Sequence, residues 1–138
     1  MNTIEKIKAK LQKYPLVKCE SNRNSISVMP TSDSGFIVSL YVNPGSFTIS
    51  FNGWHEDFPH EEEALNWFAL GLSSDCRLKE YRRGNFAYKW VVEYKENGGW
   101  VEGTTTGLFL FPFWVKRDVR YLQNDLFGGE NDASGGAI

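Results

Sequence analysis

Residues 113–126 read FWVKRDVRYLQNDL, and the period assigned to their apolar side chains decides the fold. Val115, Val119, Leu122 and Leu126 recur every three or four positions, the repeat of one helix face, while Lys116, Arg117 and Arg120 fall elsewhere around it. The spacing predicts a closing helix from about Phe113 to Leu126.

Upstream of it the pattern changes to that of strands. ENGG (96–99) carries the Asn-Gly pair of a tight hairpin, which predicts a strand over Phe86–Lys95 and a return strand over Trp100–Phe111, broken by Pro112. A further strand, Cys76–Arg82, joins the first at RRGN. On the middle strand Phe86, Tyr88, Trp90, Val92 and Tyr94 share one face, and Ala87, Lys89, Val91, Glu93 and Lys95 the other. In GLFLFPFW (107–114) alternation sets Leu108 and Leu110 against Phe109 and Phe111, so both faces are apolar and the second needs cover. A helix of the same chain or another subunit would supply it, and this is the strongest pointer in the chain to a homodimer or a protein partner.

The first half is read in the same way. An amphipathic helix is expected over residues 3–14, with Thr3 as N-cap, Ile4, Ile7, Leu11 and Tyr14 on one face and Pro15 as its stop. A meander follows: Leu16–Glu20, then SISVM with Ile26 and Val28 on one face, then Phe36–Val42, then Phe47, Ile49 and Phe51 alternating with Ser46, Thr48 and Ser50. The serines and threonine of that last strand predict a sheet with one wet side. GWHEDFPHEEEALNWF (53–68) reads as the decorated start of a second helix, with Glu61, Glu62 and Glu63 at the positive end of its dipole, Ala64, Leu65, Phe68 and Leu72 as its buried stripe, and Gly71–Ser74 as its close.

The elements together predict an α+β fold: a single-domain two-layer sandwich over residues 1–127, an antiparallel β-sheet with helices packed on one face, in the order α-β(3–4)-α-β(3)-α. Residues 128–138 read as a disordered C-terminal tail. In element order and size the chain is similar to the small acidic chaperones of type III secretion, a likeness that carries no residues across and implies a homodimer that binds unfolded protein segments.

With 17 acidic and 15 basic side chains the net charge is -2, which counts against a general polyanion-binding role, although a local basic patch is compatible with it. The N-terminus has no uninterrupted apolar run and no later segment reaches membrane-spanning length, so the chain is expected in the cytoplasm, without a membrane partner. Cys19 and Cys76 are far apart and form no metal spacing.

Of chemical motifs there is little. HEDFPH is not the HExxH of a zinc protease, and His55, Asp57 and His60 are the first residues to examine for a metal or an acid/base site, with capping and surface roles as the competing account. No nucleophile elbow, P-loop or dinucleotide fingerprint appears, GTTTG (103–107) suits a strand, and no cofactor is implied. The expectation therefore leans away from an enzyme. It favours a small protein-binding module acting through an aromatic and apolar surface flanked by basic residues, with Arg82, Arg83, Tyr88, Trp90, Tyr94, Phe109, Phe111 and Trp114 as its candidate contacts, and with core packing under the helices as the competing account, expected for most of Tyr88, Trp90 and Tyr94. The alternatives are a ligand or enzyme site near His55, Asp57 and His60, and a nucleic-acid contact through Arg77, Lys79, Arg82 and Arg83 with Lys116, Arg117 and Arg120.

Overall fold

A computed structural model of the chain describes residues 1–127, so the expected tail over 128–138 lies outside the described residues. Two helices and nine strands follow in the order α1 (Thr3–Leu11), β1 (Cys19–Ser21), β2 (Ser25–Val28), β3 (Val38–Asn43), β4 (Ser46–Phe51), β5 (Trp54–Phe58), α2 (Glu61–Leu72), β6 (Cys76–Arg83), β7 (Phe86–Glu96), β8 (Gly99–Gly107) and β9 (Arg117–Leu122). The strands form two antiparallel sheets, one of five strands in the order β1-β2-β3-β4-β5 and one of four in the order β8-β7-β6-β9.

This corrects the expected architecture. Over the described residues the protein is mostly β, with two sheets, and is not a two-layer α+β sandwich of one sheet with helices on one face. The closing helix over Phe113–Leu126 is the strand β9, and with it goes the element order on which the likeness to secretion chaperones rested. The reason lies in β6, whose Leu78 and Glu80 are buried. Its backbone groups on the side away from β7 need partners, and β9 supplies them from Leu78↔Leu122 to Arg83↔Arg117.

A second correction concerns residues 53–60. Trp54–Phe58 is strand β5, paired with β4 from Phe51↔Trp54 to Phe47↔Phe58, and the helix begins only at Glu61. Trp54 and Phe58 point into the core and His55 and Asp57 away from it, the period of two that a half-buried strand requires. The remaining boundaries shift less. α1 is capped by Asn2, whose side chain accepts from the Glu5 amide, in place of Thr3, which turns to Glu61. β1 starts at Cys19 and β8 stops at Gly107, four residues before Phe111.

One apolar core unites the elements. Ile4, Ile7 and Leu11 of α1 and Ala64, Phe68 and Leu72 of α2 pack with Ile26, Val38, Leu40, Ile49 and Phe51 of the five-stranded sheet, and Cys76, Leu78, Trp90 and Val92 of the four-stranded sheet continue it. The other face of the five-stranded sheet is polar, with Ser27, Thr48, Ser50, His55 and Asp57, as the alternation in β4 requires. Two glycines permit close packing. A Cβ on Gly53 would lie 2.3 Å from the Trp90 ring, and one on Gly71, inside α2, 2.3 Å from the Phe51 ring. The sheets also meet at their edges: Trp54 Nε1 donates to the Thr104 carbonyl at 3.2 Å, Thr104 Oγ1 to Glu56 at 2.7 Å, and the His55 amide to Thr106 Oγ1 at 3.2 Å. The GTTTG segment thus joins β8 to β5.

Candidate functional site

The β6–β7 hairpin turns at Gly84, whose φ of 61 suits its lack of a side chain, and then departs from regular pairing. Tyr81 pairs with Lys89 and Arg82 with Ala87, so Tyr88 is an extra residue, a β-bulge. The bulge breaks the alternation along β7. Trp90, Val92 and Tyr94 stay on the core side, whereas Tyr88 joins the outer face with Lys89 and Tyr81.

Between β8 and β9 the chain crosses the end of this hairpin as a loop, residues 108–116. It is pinned at several points. The Leu108 amide donates to the Tyr88 carbonyl at 2.7 Å, Phe111 stacks on Tyr88 with ring centroids 4.3 Å apart, and Arg83 donates from Nη1 to the Val115 carbonyl at 3.1 Å. The Arg83 guanidinium lies 5.6 Å from the Tyr88 ring centre and 5.7 Å from that of Phe111, within cation–π range of both. Two tight turns, Phe113 N to Phe111 O and Val115 N to Pro112 O, complete the loop.

With Phe111 turned in, the other large side chains point out. Phe109 is 101% exposed, Leu110 86%, Trp114 74% and Phe113 72%, with Phe113 and Trp114 in edge contact at 5.2 Å. The apolar run is therefore not a two-faced strand awaiting cover; it is an apolar tip held by one aromatic anchor.

Beside the loop lies the outer face of the four-stranded sheet, where cations and rings alternate. Arg77 sits 4.2 Å from the Trp100 ring centre and 4.5 Å from that of Tyr121, with its Nε donating to Glu93 at 2.6 Å. Lys79 and Lys89 flank Tyr81 at 5.2 Å and 4.7 Å, Arg117 approaches it at 5.7 Å, and Lys95 lies 5.4 Å from Trp100. A hydrogen bond to Tyr81, with the neighbouring Tyr81, Tyr121 and Glu102, holds the Lys79 ammonium above the usual lysine range.

The eight candidate contacts divide. Arg83, Tyr88 and Phe111 meet in one cluster, with Phe109 and Trp114 exposed on the loop it anchors. Trp90 and Tyr94 lie on the opposite side of β7: Trp90 is a core residue whose Nε1 donates to Glu80, and Tyr94 meets Trp67 of α2 edge-on. Arg82 turns toward the core side, 3.6 Å from Glu80. Leu110 and Phe113 on the loop, and Trp100, Tyr121 and Tyr81 on the sheet, had no place among the candidates. Reading RDVRYL as a strand would have put Arg117 and Tyr121 on one face with Lys79.

His55, Asp57 and His60 do not converge on a common point. Asp57 accepts from Thr48 Oγ1 at 2.6 Å, His55 Nδ1 lies 3.4 Å from the Gly53 carbonyl, and His60 is the N-cap of α2 without a side-chain capping bond. Among the described residues no three His, Cys, Asp or Glu side chains gather as a metal site would require. Cys19 is exposed, while burial pushes the Cys76 thiol up to about 12. No described helix is long and apolar enough to cross a membrane. Comparison with known proteins finds no matching family model, no matching curated protein and no matching solved structure.

Proposed function

We propose that the chain is a non-enzymatic protein-binding module that presents the loop 108–116 to an apolar recess of a partner. The observation that carries this reading is a combination: four large apolar side chains are more than two-thirds exposed on a backbone that Arg83, Tyr88 and Phe111 hold in place. Contiguous exposed apolar surface is disfavoured in a monomer without a purpose, and a preorganised anchor loses less entropy on binding than a free loop would. Trp114 is an anchor type of interface hot spots, phenylalanine is enriched in interfaces, and Lys116 and Arg117 at the loop's end suit a partner with carboxylates around its recess. A second copy of the chain is one such partner. Two unpaired thiols suit the reducing cytoplasm as the compartment.

The test is site-specific crosslinking in the cell of origin, with a photoreactive residue at Phe109 and, as control, at Tyr41 on the five-stranded sheet. A discrete adduct from position 109, lost when Trp114→Ser is added, supports the reading. Equal adducts from both positions, or none from 109, would overturn it. Sedimentation of the purified protein over a concentration series then separates self-association from a foreign partner.

A further inference from the structure

We propose that the outer face of the four-stranded sheet is a second binding surface, for single-stranded nucleic acid. The face brings together Arg77, Lys79, Arg83, Lys89, Lys95 and Arg117, each within cation–π distance of at least one ring. Glu93 and Glu102 occupy outward positions between them on β7 and β8, and Glu93 is already paired with Arg77. The acidic residues that bring the whole chain to -2 are concentrated elsewhere, as in Glu61, Glu62 and Glu63 of α2 and Glu56 and Asp57 of β5. Net charge, which counted against a polyanion, averages over this separation; a phosphate strand meets only the basic face.

The rings choose among polyanions. Trp100 on β8, Tyr81 on β6 and Tyr121 on β9 lie on three of the four strands and span the sheet from edge to edge, a width of about 14 Å at ordinary strand spacing. None belongs to the apolar core, and Tyr121 is 49% exposed. Planar rings set among cations match what single strands offer, unstacked bases along a phosphate backbone, and a four-stranded sheet face of this kind takes about two or three bases. An acidic peptide could use the cations but has no use for the rings. A duplex keeps its base faces stacked inside, and no helix of this face could enter its major groove.

The test is fluorescence anisotropy of a labelled oligothymidine strand across a salt series, with the same sequence as duplex and with polyglutamate as competitor. Binding is expected to favour the single strand, and its log affinity to fall linearly with log salt. Lys79→Ala and Arg117→Ala should each flatten that slope by about 0.7. Tyr121→Ala should weaken binding about 5- to 150-fold without changing the slope, and Tyr121→Phe, which keeps the ring, should restore it. Phe109→Ser should leave oligonucleotide binding unchanged, which separates this surface from the loop. Absence of binding at low salt, equal competition by polyglutamate, or a Tyr121→Ala protein that is folded and binds normally would each overturn the proposal.

Discussion

The Trp90 indole donates its Nε1–H to Oε2 of Glu80 at 2.9 Å, between directly paired positions of β7 and β6, and both side chains are buried. A carboxylate on the core side of a sheet is costly unless hydrogen-bonded or paired, and here the indole hydrogen-bonds it while the Arg82 guanidinium, 3.6 Å away, pairs with its charge. Glu80→Ala should therefore lower stability by about 1–3 kcal/mol, because the indole N–H is left without its acceptor. Glu80→Gln, which keeps an acceptor, should cost less. Urea midpoints of the two variants check this, and equal losses would show that the hydrogen bond does not matter.

Gly53 and Gly98 should respond differently to alanine. At Gly53 the new methyl meets the Trp90 ring, so Gly53→Ala should cost at least about 1–3 kcal/mol by overpacking. At Gly98 space is open and only φ, at 81, resists; Gly98→Ala should cost about 1 kcal/mol. Thermal midpoints in the reverse order would contradict the packing of the two sheets described above.

Glu61 ties the two helices, accepting from Thr3 Oγ1 and from Lys6 Nζ, both at 2.6 Å. The Lys6 hydrogen bond, then that from Thr3, holds its carboxyl below the usual range. A depressed folded pKa means that the stabilisation is present above the unfolded value and lost as pH falls through the folded one. The pair is partly exposed, so screening keeps its contribution below about 1 kcal/mol. The stability gap between wild type and Glu61→Gln should be small at neutral pH and close further in acid; a gap that widens on acidification would reverse the sign.

The two cysteines should react in two phases. A thiol reagent should label exposed Cys19 promptly and Cys76 only on unfolding, since its thiolate is suppressed by burial. Mass spectrometry after native labelling should find one adduct, on Cys19. Prompt labelling of Cys76 would mean that the core opens far more readily than its packing implies.

Loop substitutions should separate binding from folding. Phe109→Ser removes nothing from the core and should change stability by no more than about 0.5 kcal/mol. Phe111→Ala removes the stacked anchor, and should speed amide exchange at Leu108, Phe113 and Val115 while leaving the five-stranded sheet protected. Uniform loss of protection over both sheets would mean that the anchor supports the fold rather than the loop.

Much of the fold was legible where one local rule acted alone. ENGG formed its hairpin because Asn97 and Gly98 both take positive φ, and Phe47, Ile49 and Phe51 had no period to follow except two. The errors lie where two rules compete. In RDVRYLQNDL the apolar spacing suits a helix, yet the exposed edge of β6 selects the strand, and that need is set by residues some forty positions earlier. In WHEDFPHEEE the helix signal of the glutamates is real, but it marks a start at Glu61 and says nothing of the strand just before it. The candidate contacts were chosen by residue type, and which of them share one face was not legible. One bulge at Tyr88 separates that side chain from Trp90 and Tyr94, and alternation alone cannot show a bulge.

β9 pairs with β6 rather than with β8, its neighbour in sequence, so the four-stranded sheet closes only after the loop has crossed the hairpin. In a partly folded chain whose β9 has not docked, Phe109, Leu110, Phe113 and Trp114 lie next to a sheet that is still open along β6. Such a state displays an apolar segment together with the unpaired edge of β6, a combination that invites capture by chaperones and mispairing between neighbouring chains.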